Sequence, residues 1–205
     1  MFGVMGTSAA FAQAAKAHVK NGGSLILEYN SSDPTIYLDC ANFTELYVES
    51  VKNGQKIKQT YHPEGSPLQI SIQADTHSEI KITSNADTVE DFSFMTIGDG
   101  QQDSLVKLLY NGGAINSLDL ENKDQLRTLY INVNSMEMYS ASLSGCVGLN
   151  NIAFIGNCDR VSSQFASAIT AATSNDGKLT VSQGRGAEMV TAAEAKGWTV
   201  EVLPD

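Results

Sequence analysis

"INSLDLENKDQLRTLYINVN" runs from Ile115 to Asn134, with aliphatic residues at 115, 118, 120, 126, 129 and 131. A helix repeats its buried face about every 3.6 residues and a strand every two or so, so neither element alone produces this spacing. A unit used more than once does. An anchor, a step of three and an alternation of two describe a short strand, one edge of which is preceded by an inward residue.

The same unit occurs on either side. "SLVKLLYNGG" (104–113), "QLRTLYINVN" (125–134) and "GLNNIAFIGN" (148–157) align at Leu105, Leu126 and Leu149, at Leu108, Leu129 and Ile152, and at Tyr110, Ile131 and Phe154. "INSLDL" (115–120) and "MYSASL" (138–143) form a half-repeat between them. A recurrence of this length predicts stacked coils, because one such strand cannot bury its apolar face alone. Asn134 and Asn157 follow the last strand anchor by three residues, where a side-chain amide can bond the backbone of a neighbouring coil.

Downstream, "RVSSQFASAITAAT" (160–173) places Phe165, Ile169 and Ala172 on one helical face. "GKLTVS" reads as a strand, and "GAEMVTAAEAKG" as a helix stopped by Gly197. Trp198, Val200 and Val202 then alternate in a final strand. Upstream, "SLILEYN" (24–30) and "TIYLDC" (35–40) are strand-like. "TELYVESVKNGQKIKQTY" (44–61) is a hairpin turning at Asn53-Gly54, where both positions accept positive φ. "LQISI", "EIKI" and "VEDFSF" (68–72, 79–82, 89–94) are further short strands, and "GDGQQD" (98–103) and "SNDGK" (174–178) read as turns. An Ala-rich helix is expected over residues 8–20, capped by Thr7 or Ser8 and ended by Asn21-Gly22-Gly23.

The chain has 205 residues, 42% of them hydrophobic, which is enough for a substantial core. Its net charge of −10 and the absence of a Lys/Arg cluster exclude a nucleic-acid footprint. No apolar run reaches the ~18 residues of a membrane helix, so membrane insertion is not expected. Residues 1–15 lack the basic start of an export signal. Cys40, Cys146 and Cys158 form no metal-binding spacing, and a Cys146–Cys158 bridge is not indicated. The sequence predicts no catalytic residue, no metal site and no cofactor. Gly184-Arg185-Gly186, at the start of a helix, is a weak anion candidate. Asp119 and Glu121 alternate with leucines and belong on a solvated strand face.

"LDLENKDQLRTLYINVNSMEMYSASLSGCVGLNNIAFIGNC", together with the terminal "DGKLTVSQGRGAEMVTAAEAKGWTVEV", resembles the short repeats and the C-terminal strand–helix–strand ending of Bacteroidetes leucine-rich-repeat proteins. The resemblance covers residues 68–205. It implies an α/β leucine-rich-repeat-like β-solenoid with parallel strands, preceded by an N-terminal helix and a small β-rich docking region over residues 1–67. Its members are mostly exported and surface-associated, and some occur in phage proteins.

The expected function is a non-enzymatic interaction or structural module, a component of a larger assembly such as a phage virion. The alternative is an exported cell-surface or periplasmic adhesion protein. Partners are other proteins or copies of the chain itself. In the repeat strands, Lys107, Leu109, Thr128, Tyr130, Asn151 and Ala153 point outward as a binding face. Phe2, Val4, Met5 and Phe11 are the apolar residues of an expected assembly arm.

Overall fold

The computed structural model describes residues 23–40, 43–63, 68–99, 104–133 and 138–204. The expected helix over 8–20, the arm residues Phe2, Val4, Met5 and Phe11, and Asn134 lie outside them.

The described residues form a nine-stranded and a five-stranded sheet. The strands are β1 Ser24–Tyr29, β2 Thr35–Cys40, β3 Leu46–Lys52, β4 Gln55–Tyr61, β5 Leu68–Ser71, β6 Glu79–Ser84 and β7 Phe94–Asp99. They continue with β8 Leu105–Gly112, β9 Ile115–Asp119, β10 Thr128–Val133, β11 Ser140–Ser142, β12 Asn151–Ile155, β13 Lys178–Ser182 and β14 Thr199–Leu203. Two short helices, α1 Ser162–Ala171 and α2 Ala187–Ala195, stand near the C-terminus. The large sheet has the order β14-β13-β12-β10-β8-β1-β6-β3-β4, and the small one β11-β9-β7-β2-β5.

The aligned repeats occupy adjacent positions. β10 pairs in parallel with β8 and β12, and the register joins Leu108, Leu129 and Ile152, then Tyr110, Ile131 and Phe154. The half-repeats pair in parallel as β9 and β11, with Leu118 opposite Ala141. Leu105, Leu126 and Leu149 are all fully buried. Burying each such leucine removes apolar area worth roughly 1.5–3 kcal/mol.

The chain is nevertheless not the expected leucine-rich-repeat solenoid. Solenoid coils would extend in one parallel direction. Instead β1 pairs antiparallel with both β8 and β6, β3 pairs antiparallel with β6 and β4, and β2 pairs antiparallel with β7 and β5. The result is two mixed sheets, with strand rather than helix dominating. The physical reason is that a repeat fixes the register of its own strands but not what pairs with the outer edge of the first of them. Here β1, whose burial is nearly continuous, fills that edge.

The sheets face one another across a single core. Phe94 of β7 meets Tyr110 of β8 edge-on with ring centroids 6.1 Å apart, and Phe92 stacks on Tyr110 at 5.9 Å. The Tyr110 hydroxyl donates to the Phe92 carbonyl, so the buried phenol is satisfied. Gly112 is required at this corner: a Cβ there would lie 2.3 Å from the Tyr110 hydroxyl.

Several local expectations match. Asn53 and Gly54 both have positive φ in the β3–β4 turn. Phe165, Ile169 and Ala172 are buried, and Trp198 is 4% exposed, donating from Nε1 to the Ser174 carbonyl at 2.9 Å. Val202, by contrast, is 51% exposed, because β14 is the last strand of the large sheet. "VEDFSF" is mostly a turn leading into β7 rather than a strand.

Candidate functional site

Strand pairing turns sequence into two outward faces, one per sheet. On the large sheet, Lys107, Thr128 and Asn151 align in one row, and Leu109, Tyr130 and Ala153 in the next. All six predicted binding-face residues are therefore brought together. The second row continues to Ile26 of β1, opposite Leu109. Ile26, Tyr130 and Ala153 are 4%, 8% and 7% exposed although none belongs to the central core cluster. Burial pushes the Tyr130 phenol above its ordinary pKa. This row offers little free side-chain surface. Beside it, the Asn132 amide donates to Asn111 Oδ1 at 2.7 Å.

The small sheet presents a different face. In β2, Ile36 and Leu38 point into the core, so Tyr37 and Asp39 point out. Tyr37 lies opposite Gly98 of β7, and Gly98 lies opposite Asp119 of β9, which is followed by Ser142 of β11. The neighbouring row is Asp39, Thr96, Ser117 and Ser140. A groove of about 550 Å³ opens here, lined by Tyr37, Asp39, Thr96, Gly98, Asp119, Glu121 and Lys123. Its volume falls in the usual range for small-ligand sites, roughly 300–1,000 Å³.

Gly98 makes the groove. A Cβ at this position would lie 4.0 Å from Tyr37 Cβ and 3.8 Å from the Asp119 carbonyl, which is ordinary contact. Packing therefore does not demand glycine. Gly98 is itself buried, so the space left by its missing side chain is a narrow cleft between Tyr37 on one strand and Asp119 two strands away.

The walls are polar and fixed to strands. Glu121 Oε1 accepts from Ser142 Oγ at 2.8 Å, which ties the turn after β9 to β11. Lys123 is 6% exposed and borders the groove from that turn. Cys40 adjoins Asp39, and its thiol is pushed up to about 12, first by burial and then by the Asp39 charge.

Tyr37 is 37% exposed, Met95 46% and Tyr139 55%. With Val202 of β14 they are the exposed large hydrophobic side chains among the described residues, and three of these four belong to the small sheet or adjoin it. Tyr139 directly precedes β11, and Arg160 stands over its ring, 5.0 Å from the centroid.

Sequence reasoning placed Asp119 and Glu121 on a solvated face but did not find Tyr37, Asp39, Thr96, Gly98 or Lys123. The turn expected over residues 98–103 starts later, because Gly98 lies within β7. The signal available was the alternation in "TIYLDC", which already turns Tyr37 and Asp39 to the same side.

Other candidates are occupied by the chain's own groups. At Gly184-Arg185-Gly186, Asp159 takes the anion position: it accepts from Arg185 at 3.0 Å and from the Gly186 amide at 3.3 Å. The three cysteines are free thiols, so no Cys146–Cys158 bridge forms. Cys146 donates to the Leu120 carbonyl at 3.0 Å, and burial pushes it up to about 11. Among the described residues no group of three or more His, Cys, Asp or Glu could hold a metal, and no helix is long and apolar enough to cross a membrane.

No family model, no curated protein and no solved structure matches this chain.

Proposed function

We propose that the chain is a non-enzymatic recognition and structural module acting within a larger assembly, such as a phage virion, and that it recognises its target through the outward face of the five-stranded sheet. The observation that carries this reading is the concentration of Tyr37, Met95 and Tyr139 on or beside one strand-built face that also holds a polar groove. Exposed aromatic and Met side chains are the residue types that interfaces favour over the rest of a surface. Strands fix the backbone of Tyr37 and Met95, and Tyr139 directly precedes a strand, so little backbone freedom is lost on binding.

The large sheet fits this role less well, because the middle of its outward face is already withdrawn from solvent. The acidic balance of the chain suits a protein or neutral partner better than a nucleic acid.

The test is incorporation in the native source. The wild-type chain should co-sediment with purified particles at a constant ratio. A chain carrying Tyr37→Ala, Met95→Ala and Tyr139→Ala should fold but sediment alone. Wild-type protein recovered by itself at the cell envelope, absent from particles, would contradict the assembly reading.

A further inference from the structure

We propose that the groove over Gly98 is a saccharide-binding subsite, in which the Tyr37 ring stacks on a sugar and the carboxylates of Asp39, Asp119 and Glu121 accept hydrogen bonds from its hydroxyls. The inference rests on the reading of this face as the recognition surface and names the chemistry it takes.

A pyranose ring has one face rich in C–H groups and a rim of hydroxyls. Its apolar face packs on an aromatic ring, and its rim needs fixed acceptors. The groove supplies both. Among the described residues, Tyr37 is the aromatic side chain of the lining, and it is 37% exposed. Opposite it, across the hollow at Gly98, stands Asp119. Asp39 and the Thr96 hydroxyl lie one row along, and Glu121 with Lys123 closes the end. Acceptors and donors thus surround a hollow one side chain wide.

Other ligand chemistries fit less well. Three carboxylates repel an anion, and Lys123 alone does not offset them. A bound cation would need convergent oxygens, whereas Asp39 and Asp119 sit on strands separated by β7 and in different rows, so their backbones are roughly 12 Å apart. A broad protein contact would use the whole face, but would have no use for a hollow that a methyl group could occupy without a clash.

The hollow also supplies the sharpest variant. Gly98→Val adds a branched side chain that strands accept readily, in a position where Cβ has room, so the sheet should form normally while the subsite is filled. Tyr37→Ala removes the platform and leaves the hollow.

The full chain should be run in affinity gels containing xylan, mannan, mixed-linkage β-glucan, soluble chitosan-free chitin oligomers coupled to matrix, or peptidoglycan glycan strands. At least one of these should retard the wild type. Retardation should persist in high salt, since no ion pair carries it. Gly98→Val and Tyr37→Ala should each weaken it at least about tenfold, while both variants still melt cooperatively. The proposal is overturned if no saccharide in the set retards the wild type, if both variants bind as the wild type does, or if salt abolishes retention, which would mean that ion pairs rather than stacking and hydrogen bonds hold the glycan. Loss of saccharide retention in Gly98→Val with intact particle association separates this subsite from the assembly role. Particle association lost without any saccharide retention would leave the assembly reading standing and this one refuted.

Discussion

The two sheets share one interior but present opposite kinds of outward face. The larger carries the row Ile26, Leu109, Tyr130 and Ala153, apolar and mostly withdrawn from solvent. The smaller carries Tyr37, Gly98, Asp119 and Ser142, with one exposed ring, one missing side chain and one carboxylate. Both rows arise from the same strand alternation. The difference lies in what occupies the outward positions, and it shows that regular register alone does not mark a recognition surface. A usable surface needs exposed anchors and unfilled space.

The interior common to both faces should give the largest effects. Phe94 is 1% exposed and packs against Phe43, Phe92 and Tyr110. Phe94→Ala should cost about 3–5 kcal/mol by loss of burial and creation of a cavity. Chemical denaturation of the variant measures this. A cost no larger than that of Tyr37→Ala, on the exposed side of the same sheet, would break the assignment of inside and outside.

The same contrast can be made within one strand. Leu129 is fully buried and lies between Leu108 and Ile152, while Thr128 beside it points outward. Leu129→Ala should cost about 2–5 kcal/mol, and Thr128→Ala should stay within roughly 0.5 kcal/mol of the wild type. Equal costs would mean that β10 has been assigned the wrong face.

These neighbours also show what was legible in the sequence. The recurrence of Leu105, Leu126 and Leu149, and of the anchors after them, encodes parallel register, and β8, β10 and β12 adopt that register. Asn53-Gly54 encodes its hairpin locally through positive φ. Nothing local states that β1 will pair between β6 and β8, because a strand's alternation fixes its faces and leaves its partner open. The mixed sheets were hidden for that reason. The groove was hidden for a related one: Tyr37 and Asp119 are far apart in sequence and meet only because β7 pairs with both β2 and β9.

A smaller effect sits at the corner between the sheets. Tyr110 is buried, and burial holds its phenol well above the ordinary value of 10.0. The folded state therefore favours the neutral form. Its contribution to stability is complete below the unfolded pKa of about 10 and declines as pH rises above it. Tyr110→Phe should cost about 0.5–1.5 kcal/mol near neutral pH through its lost hydrogen bond to Phe92. The variant should also lose less stability than the wild type between pH 9 and about pH 11. Parallel denaturation curves at both pH values for the two proteins would contradict the burial of that hydroxyl.

A small gain is expected at Gly98. Gly98 has no positive φ and room for a methyl group. Gly98→Ala should raise stability by about 0.4–1 kcal/mol, because the unfolded chain loses freedom and the strand does not. A loss of stability would mean that the hollow is needed for packing, and would remove the reason to regard it as a place for a ligand.

Hydroxyl-radical footprinting of the free chain and of the chain in its native assembly tests the choice between the two faces most directly. Tyr37, Met95 and Tyr139 should be oxidised in the free chain and protected in the assembly, while Leu109 and Tyr130 should react to the same low extent in both. Protection at Leu109 and Tyr130 with Tyr37, Met95 and Tyr139 unchanged would contradict the account and move recognition to the nine-stranded sheet.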